Sequence, residues 1–147
     1  MRSLFAVPFL LLAACGALGG SENPEAQKLV GAVAQRYTEI VRLTVHAVPT
    51  GGSECRVIAS TEAARVGRAS DKEDLEAMAT GQPVVLEEPE ALDVTVPILP
   101  VQGKSTAVVG VTLRNPAGRE RAAVIARAQE IAKAVADAVQ ASTDPMW

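Results

Sequence analysis

One histidine, His46, and two cysteines, Cys15 and Cys55, set the limits of catalytic chemistry in this 147-residue chain. A nucleophile needs a base that titrates near neutral pH, and His46 is the natural candidate. It falls within an alternating run, Leu43 to Val48, and no Gly-x-Ser-x-Gly elbow presents a serine to it. A structural histidine satisfied by hydrogen bonds is the expectation, so no catalytic residue is assigned and the chain reads as a non-enzyme. Zinc bound by His and Cys ligands needs more of both than the chain offers. No EF-hand spacing is present, although scattered carboxylates leave a hard-cation site open. Neither a metal nor a cofactor is assigned. Gly51-Gly52 lacks the lysine and helix start of a phosphate loop. Glu87-Glu88 and the Asp71/Asp74 pair read as solvated or helix-dipole charges.

Binding chemistry is better served. Side chains alternate along a strand, so Leu43, Val45 and Ala47 share one face and Thr44 and His46 the other. Cys55, Val57 and Ala59 likewise oppose Arg56, Ile58 and Ser60, and Leu92, Val94, Val96 and Ile98 oppose Asp93, Thr95 and Pro97. If one sheet face packs on helices, the second carries Thr44, His46, Arg56, Asp93 and Thr95. A few polar groups on a covered face suit a ligand pocket. With Arg65 nearby, His46 and Arg56 favour a small carboxylate or other anion, because guanidinium offers a bidentate fork. Asp93 could instead pair with Arg56 and leave the pocket neutral. In the plainer alternative this face is partly open to water and these are ordinary exposed side chains.

Composition removes other partners. The net charge is −3 and no basic stripe is present, which excludes a nucleic-acid surface. Arg114, Arg119, Arg121 and Arg127 cluster near one helix and read as its solvated face. Tyr37 and Trp147 are the only aromatics beyond the leader, too few for an aromatic cage or a stacking platform. The length suits one domain with one core.

The elements that must position these residues can be read in order. Asn23-Pro24 is an N-cap followed by proline at the first helical position. Leu29, Val30, Val33, Tyr37, Ile40 and Val41 then continue at helical spacing to about Val41. Leu43–Val48 and Cys55–Ser60 form a hairpin around a Pro-Thr-Gly-Gly-Ser turn. Ser70-Asp71-Lys72-Glu73 matches a capping box, opening a short helix through Leu75 and Met78 that stops at Gly81. A third strand follows at Pro83–Glu87. Leu92–Val101 and Ser105–Arg114 pair around Gln102-Gly103-Lys104, the second being apolar on both faces as a central strand is. Asn115-Pro116 repeats the cap, and Val124, Ile125, Ala128, Ile131, Ala132, Val135 and Val139 stripe a last helix. Asp144-Pro145 closes the ordered part. Helices at the ends and middle of antiparallel strands predict an α+β fold.

The chain's start reads as an export leader: Arg2, an apolar run from Leu4 to Leu12, then small residues. The run is shorter than the roughly 20 residues of a membrane-spanning helix, so removal is expected. Leu12-Ala13-Ala14-Cys15 resembles the lipobox of bacterial lipoproteins, which implies a signal peptide over 1–14, lipidation of Cys15 and a tether over 15–22. Gly16 after the cysteine leans toward the outer membrane, facing the periplasm. Cleavage after Ala17 or Gly19 would instead release a soluble secreted protein. With Cys15 lipidated, Cys55 is the one remaining thiol, and it reads as a small half-buried strand residue.

Arg65-Val66-Gly67-Arg68, the acidic segment Ser70 to Val85 with its Gly81-Gln82-Pro83-Val84 close, Leu92 to Ile98 with its Pro97-Ile98 step, and Gly110-Val111-Thr112-Leu113 together resemble the PAS-like extracytoplasmic sensors called Cache domains. The resemblance implies a single domain over 23–141 with a tail over 142–147. It implies a five-stranded antiparallel sheet with a long N-terminal helix, a short middle helix and a long C-terminal helix, and a small-molecule pocket on one sheet face. Family members are usually bracketed by membrane helices and joined to a signalling domain, whereas this chain ends after its last helix. The expectation is therefore a lipid-anchored, sensor-like binding domain acting through an envelope protein partner. The alternative is an envelope structural or interaction lipoprotein that keeps the fold and binds no ligand.

Overall fold

The computed structural model describes residues 23–101, 104–115, 120–143 and 146–147. The leader, Cys15, the tether, the Gln102-Gly103 turn and Asp144-Pro145 lie outside the described residues. Helix α1, Pro24–Ala34, opens as the sequence predicts: the Asn23 side chain accepts hydrogen bonds from the Glu25 and Ala26 backbone N–H groups, with Pro24 in the first turn. It ends a full turn or more before Val41. The backbone tightens after Ala34, where Arg36 N–H donates to Val33 O and Tyr37 N–H to Ala34 O. β-Branched Ile40 and Val41 then enter strand β1, Ile40–Ala47.

Strand β2, Arg56–Ser60, is followed by a single 3₁₀ turn at Ala63–Arg65 and helix α2, Lys72–Thr80. Then come β3, Val84–Glu88, β4, Ala91–Val101, β5, Lys104–Arg114, and helix α3, Arg121–Ala141. The five strands form one antiparallel sheet in the order β2-β1-β5-β4-β3, which puts the apolar β5 at its centre. Of the predicted helix start at Asn115-Pro116, Pro116 lies outside the described residues. Asn115 N–H bonds Glu90 O, and the described part of α3 begins at Arg121 after Glu120.

α1 and α3 cover one sheet face and α2 the other. Between the long helices and the sheet lies the core: Leu43, Val45, Leu92, Val94, Val96, Ile98, Val109, Val111 and Leu113 against Val30, Val33, Val124, Ala128, Ile131 and Val135. The period-two faces of β1 and β4 thus fall as the sequence predicts. The core reaches beyond residue 141, since Met146 is buried in it and its carbonyl accepts from Asn23 Nδ2 at 2.5 Å.

β2 departs from simple alternation. Val45 pairs with Ala59 but His46 with Val57, a bulge that places Ile58 as the extra residue. Directly paired residues share a face, so Val57 joins His46 while Arg56 joins Ala47. The expected grouping of Arg56 with His46 is therefore wrong.

α2 caps one residue later than the Ser70/Glu73 reading. Asp71 is its N-cap, and Asp71 N–H donates to Asp74 Oδ2 at 2.9 Å. Gly81 closes it in the left-handed region at φ 69°. The buried stripe is Asp74 and Ala77; Leu75 faces solvent at 47% exposure. Small Ala77 lets the helix lie close on β5 and β4.

Candidate functional site

Beneath α2 the sheet presents polar side chains with almost no access to water. Thr44 and His46 come from β1, Thr95 from β4, Thr112 from β5 and Asp74 from α2, all buried. Buried polar groups must find partners, and these do. His46 Nδ1 lies 3.0 Å from Ser70 Oγ and 3.2 Å from Asp74 Oδ2, and His46 Nε2 lies 3.0 Å from Thr44 Oγ1. Thr95 Oγ1 donates to Asp74 Oδ1 at 3.2 Å, and Ser70 Oγ donates to Cys55 Sγ at 3.1 Å. Gly110 in β5 is required here, because a Cβ at that position would collide with Thr44 Oγ1.

Burial pushes the His46 pKa below its usual value and Arg65 adds to the effect, against the upward pull of Asp74, Asp71 and Asp93. The ring is neutral at pH 7. Burial likewise pushes the Cys55 thiol up, outweighing the Ser70 hydrogen bond, so this thiol stays protonated and weakly nucleophilic. Ser70, His46 and Asp74 do not form a nucleophile–base–acid relay. Such a relay places serine and carboxylate on opposite ring nitrogens, whereas both sit on Nδ1 here and Nε2 faces buried Thr44.

A second polar cluster lies beside the first. Arg42 Nη2 contacts Glu88 Oε1 at 2.9 Å and Asp93 Oδ2 at 3.0 Å, and Thr112 Oγ1 donates to Asp93 Oδ1 at 3.0 Å. Burial alone would lower the Arg42 pKa, but Glu88 and Asp93 outweigh it and raise it. Asp93 therefore pairs with Arg42, and the suggested Asp93–Arg56 pair does not exist. Arg56 turns outward instead, donating to Gly67 O at 3.2 Å and Glu54 Oε2 at 2.7 Å.

Arg65 occupies a third setting. Its Nε donates to Glu62 Oε2 at 2.8 Å, and it lines a cleft of about 360 Å³ with Val57, Arg68, Ala69 and Asp71. Ala69 and Asp71 flank Ser70 in sequence, so this cleft adjoins the buried His46 network. Of the five candidates, the structure places His46 and Thr95 in one network through Asp74. Asp93 stands in the neighbouring cluster, Arg65 at the cleft, and Arg56 apart. Asp74, Ser70, Arg42 and Arg68 were not among the candidates. Asp74 was legible in part, because an acid three residues after Asp71 is itself a capping pattern.

No family model matches the chain, and no curated protein does. Solved structures are similar in fold. The GAF domain region of a putative membrane protein from Geobacter sulfurreducens PCA superposes with a TM-score of 0.57 at 13% identity, over 79% of this chain and 91% of that one. Residues 122 to 287 of a methyl-accepting chemotaxis protein give 0.52 at 12% identity, over 76% and 83%. The fold is GAF-like. A GAF-like, PAS-type α+β plan is the coarser form of the expected architecture, with one sheet face against long helices and the other against a short helix. In this GAF-like chain the short helix is bound down by the Asp74 carboxylate.

Proposed function

We propose that the domain is a non-enzymatic, sensor-like module of the PAS/Cache type that binds a small carboxylate or other small anion. The site is the cleft lined by Arg65, Arg68, Ala69, Asp71 and Val57. One observation carries the reading: two guanidinium groups border one concave site, and among the described residues Arg68 has no hydrogen-bond or ion-pair partner for its side chain. An arginine unspent on the protein's own acids is available for a bidentate ligand contact. The buried His46–Ser70–Asp74 network behind the cleft holds its far wall in place.

The export leader and the Leu12-Ala13-Ala14-Cys15 sequence support a lipid anchor at Cys15, with the domain in the periplasm at the outer membrane and an envelope protein receiving its state. Thermal-shift measurements against small carboxylates, amino acids and apolar metabolites test the binding reading. A carboxylate shift that disappears in Arg68→Ala supports it, and no shift with any class rejects it. Metabolic labelling with radioactive palmitate tests the anchor: label in the native chain and none in Cys15→Ser is the expected result.

A ligand-free interaction role is the second reading. It is favoured by the space between His46 and Thr95, which Asp74 fills with direct hydrogen bonds. Co-purification with an envelope complex, unaffected by Arg68→Ala, would favour it.

A further inference from the structure

Two arginines border the cleft, and the protein treats them differently. Arg68 is exposed and, among the described residues, its side chain has no partner. Arg65 is tied at one point: Nε donates to Glu62 Oε2 at 2.8 Å, while Nη1 and Nη2 meet no acceptor among the described residues. A guanidinium carries donors on every nitrogen. The Nε contact therefore leaves the terminal pair, the fork that grips a carboxylate end-on, unused.

Glu62 is itself fixed. Its backbone N–H donates to Ser60 Oγ at 3.0 Å, and its carbonyl accepts from Arg65 N–H at 3.0 Å across the 3₁₀ turn Ala63–Arg65. Its second carboxylate oxygen, Oε1, lies 4.0 Å from Arg42 Nη1. Arg42 is nearly buried and held by Glu88 and Asp93. A line of alternating charges thus runs from the sheet through Arg42 and Glu62 to Arg65 at the cleft.

We propose, building on the anion-cleft reading, that Glu62 is a positioning residue that presents the terminal nitrogens of Arg65 to the ligand.

The physical reason is conformational entropy. A free arginine loses rotamer freedom when it closes on a ligand, whereas one already held at Nε has lost part of that freedom before binding. The same carboxylate repels an anion by its charge, but Arg65 and Glu62 are partly exposed and water screens that repulsion. The two effects separate by chemistry: repulsion needs the charge, and positioning needs only an acceptor for Nε. A blocking role for Glu62 would put its oxygens on the terminal nitrogens, and they are not there.

Acetate titrations of the full chain, followed by amide NMR, test this in Glu62→Gln and Glu62→Ala. Both variants lose the same charge, and only the first keeps an acceptor for Nε. Glu62→Gln should bind acetate about three- to tenfold tighter than Glu62→Ala, the cost of immobilising one long side chain. In an Arg65→Ala background the difference should vanish. Without ligand, the Arg65 Nε–H resonance should stay displaced from the solvent-exposed position in the native chain and in Glu62→Gln, and move to that position in Glu62→Ala. Equal affinities of the two variants, a difference that survives Arg65→Ala, or an Nε–H resonance that Glu62→Ala leaves in place overturns this role and leaves the cleft standing. A native chain that does not bind acetate rejects the anion cleft, and the role with it.

Discussion

Asp74 Oδ2 lies 3.2 Å from His46 Nδ1, with both side chains more than nine-tenths buried, and this pair joins the short helix to the middle of the sheet. Asp74 Oδ1 takes the Thr95 hydroxyl at the same time, and Oδ2 also takes the Asp71 N–H. Removing the carboxylate strands the buried Thr95 hydroxyl, leaves His46 Nδ1 with Ser70 Oγ alone, and takes away the helix cap. Asp74→Ala should lower unfolding free energy by about 1–3 kcal/mol, the cost of unsatisfied buried groups. Urea denaturation measures it, and a loss under about 0.5 kcal/mol, the range of ordinary surface changes, would rule out an anchoring role.

Acid should weaken the fold through His46. The folded-state pKa is depressed, so the unfolded chain binds more protons than the folded one below the ordinary value of about 6.5. The contribution is fully present above that pH and is lost as pH falls from there toward the folded value, giving a positive slope of stability with pH. Denaturation midpoints from pH 8 to 5 should show the slope in the native chain. In His46→Gln it should flatten across that window, and an unchanged slope would assign it to the carboxylates.

Gly110→Ala should destabilise by about 1–3 kcal/mol, since the added methyl overpacks a filled site. The clash is with one atom, Thr44 Oγ1, the other neighbours standing 3.8 Å off. Thr44→Ala removes that atom, so the double variant should be more stable than the two single losses add up to. Strict additivity in a double-mutant cycle would show that the glycine is needed for another reason.

Arg42→Ala should leave Asp93 and Glu88 facing each other without a cation. Breaking a buried pair costs about 3–5 kcal/mol; Arg42 is 11% exposed but Glu88 is 38% exposed, so the loss should approach the lower end. Arg42→Lys should recover most of the loss, because the single nitrogen Nη2 meets both carboxylates and an ammonium with three donors can take its place. Equal stability of the two variants would show that a cation between Glu88 and Asp93 contributes nothing.

Much of the fold was legible because it follows from local rules. Asn23-Pro24 opened a helix, Gly81 closed one, and period-two alternation put Leu92, Val94, Val96 and Ile98 in the core. The candidate site was legible only in part. His46 and Thr95 were placed on the covered face correctly, yet Arg56 was assigned there as well, and a bulge at Ile58 turned it away. Helix α1 was drawn too long because Tyr37, Ile40 and Val41 keep a helical spacing while the chain has already turned toward β1.

By itself, then, the sequence determined the order of elements, the apolar faces and the scarcity of catalytic groups, since each depends on residues within a few positions of one another. Partner choice belonged to the tertiary structure. His46 is bonded to Ser70, 24 positions away, and Arg42 to Asp93, 51 away. Such pairs are set by strand register, by one extra residue in β2 and by the side of the sheet on which α2 lands. No local propensity encodes those three, because each is the outcome of packing the whole core at once.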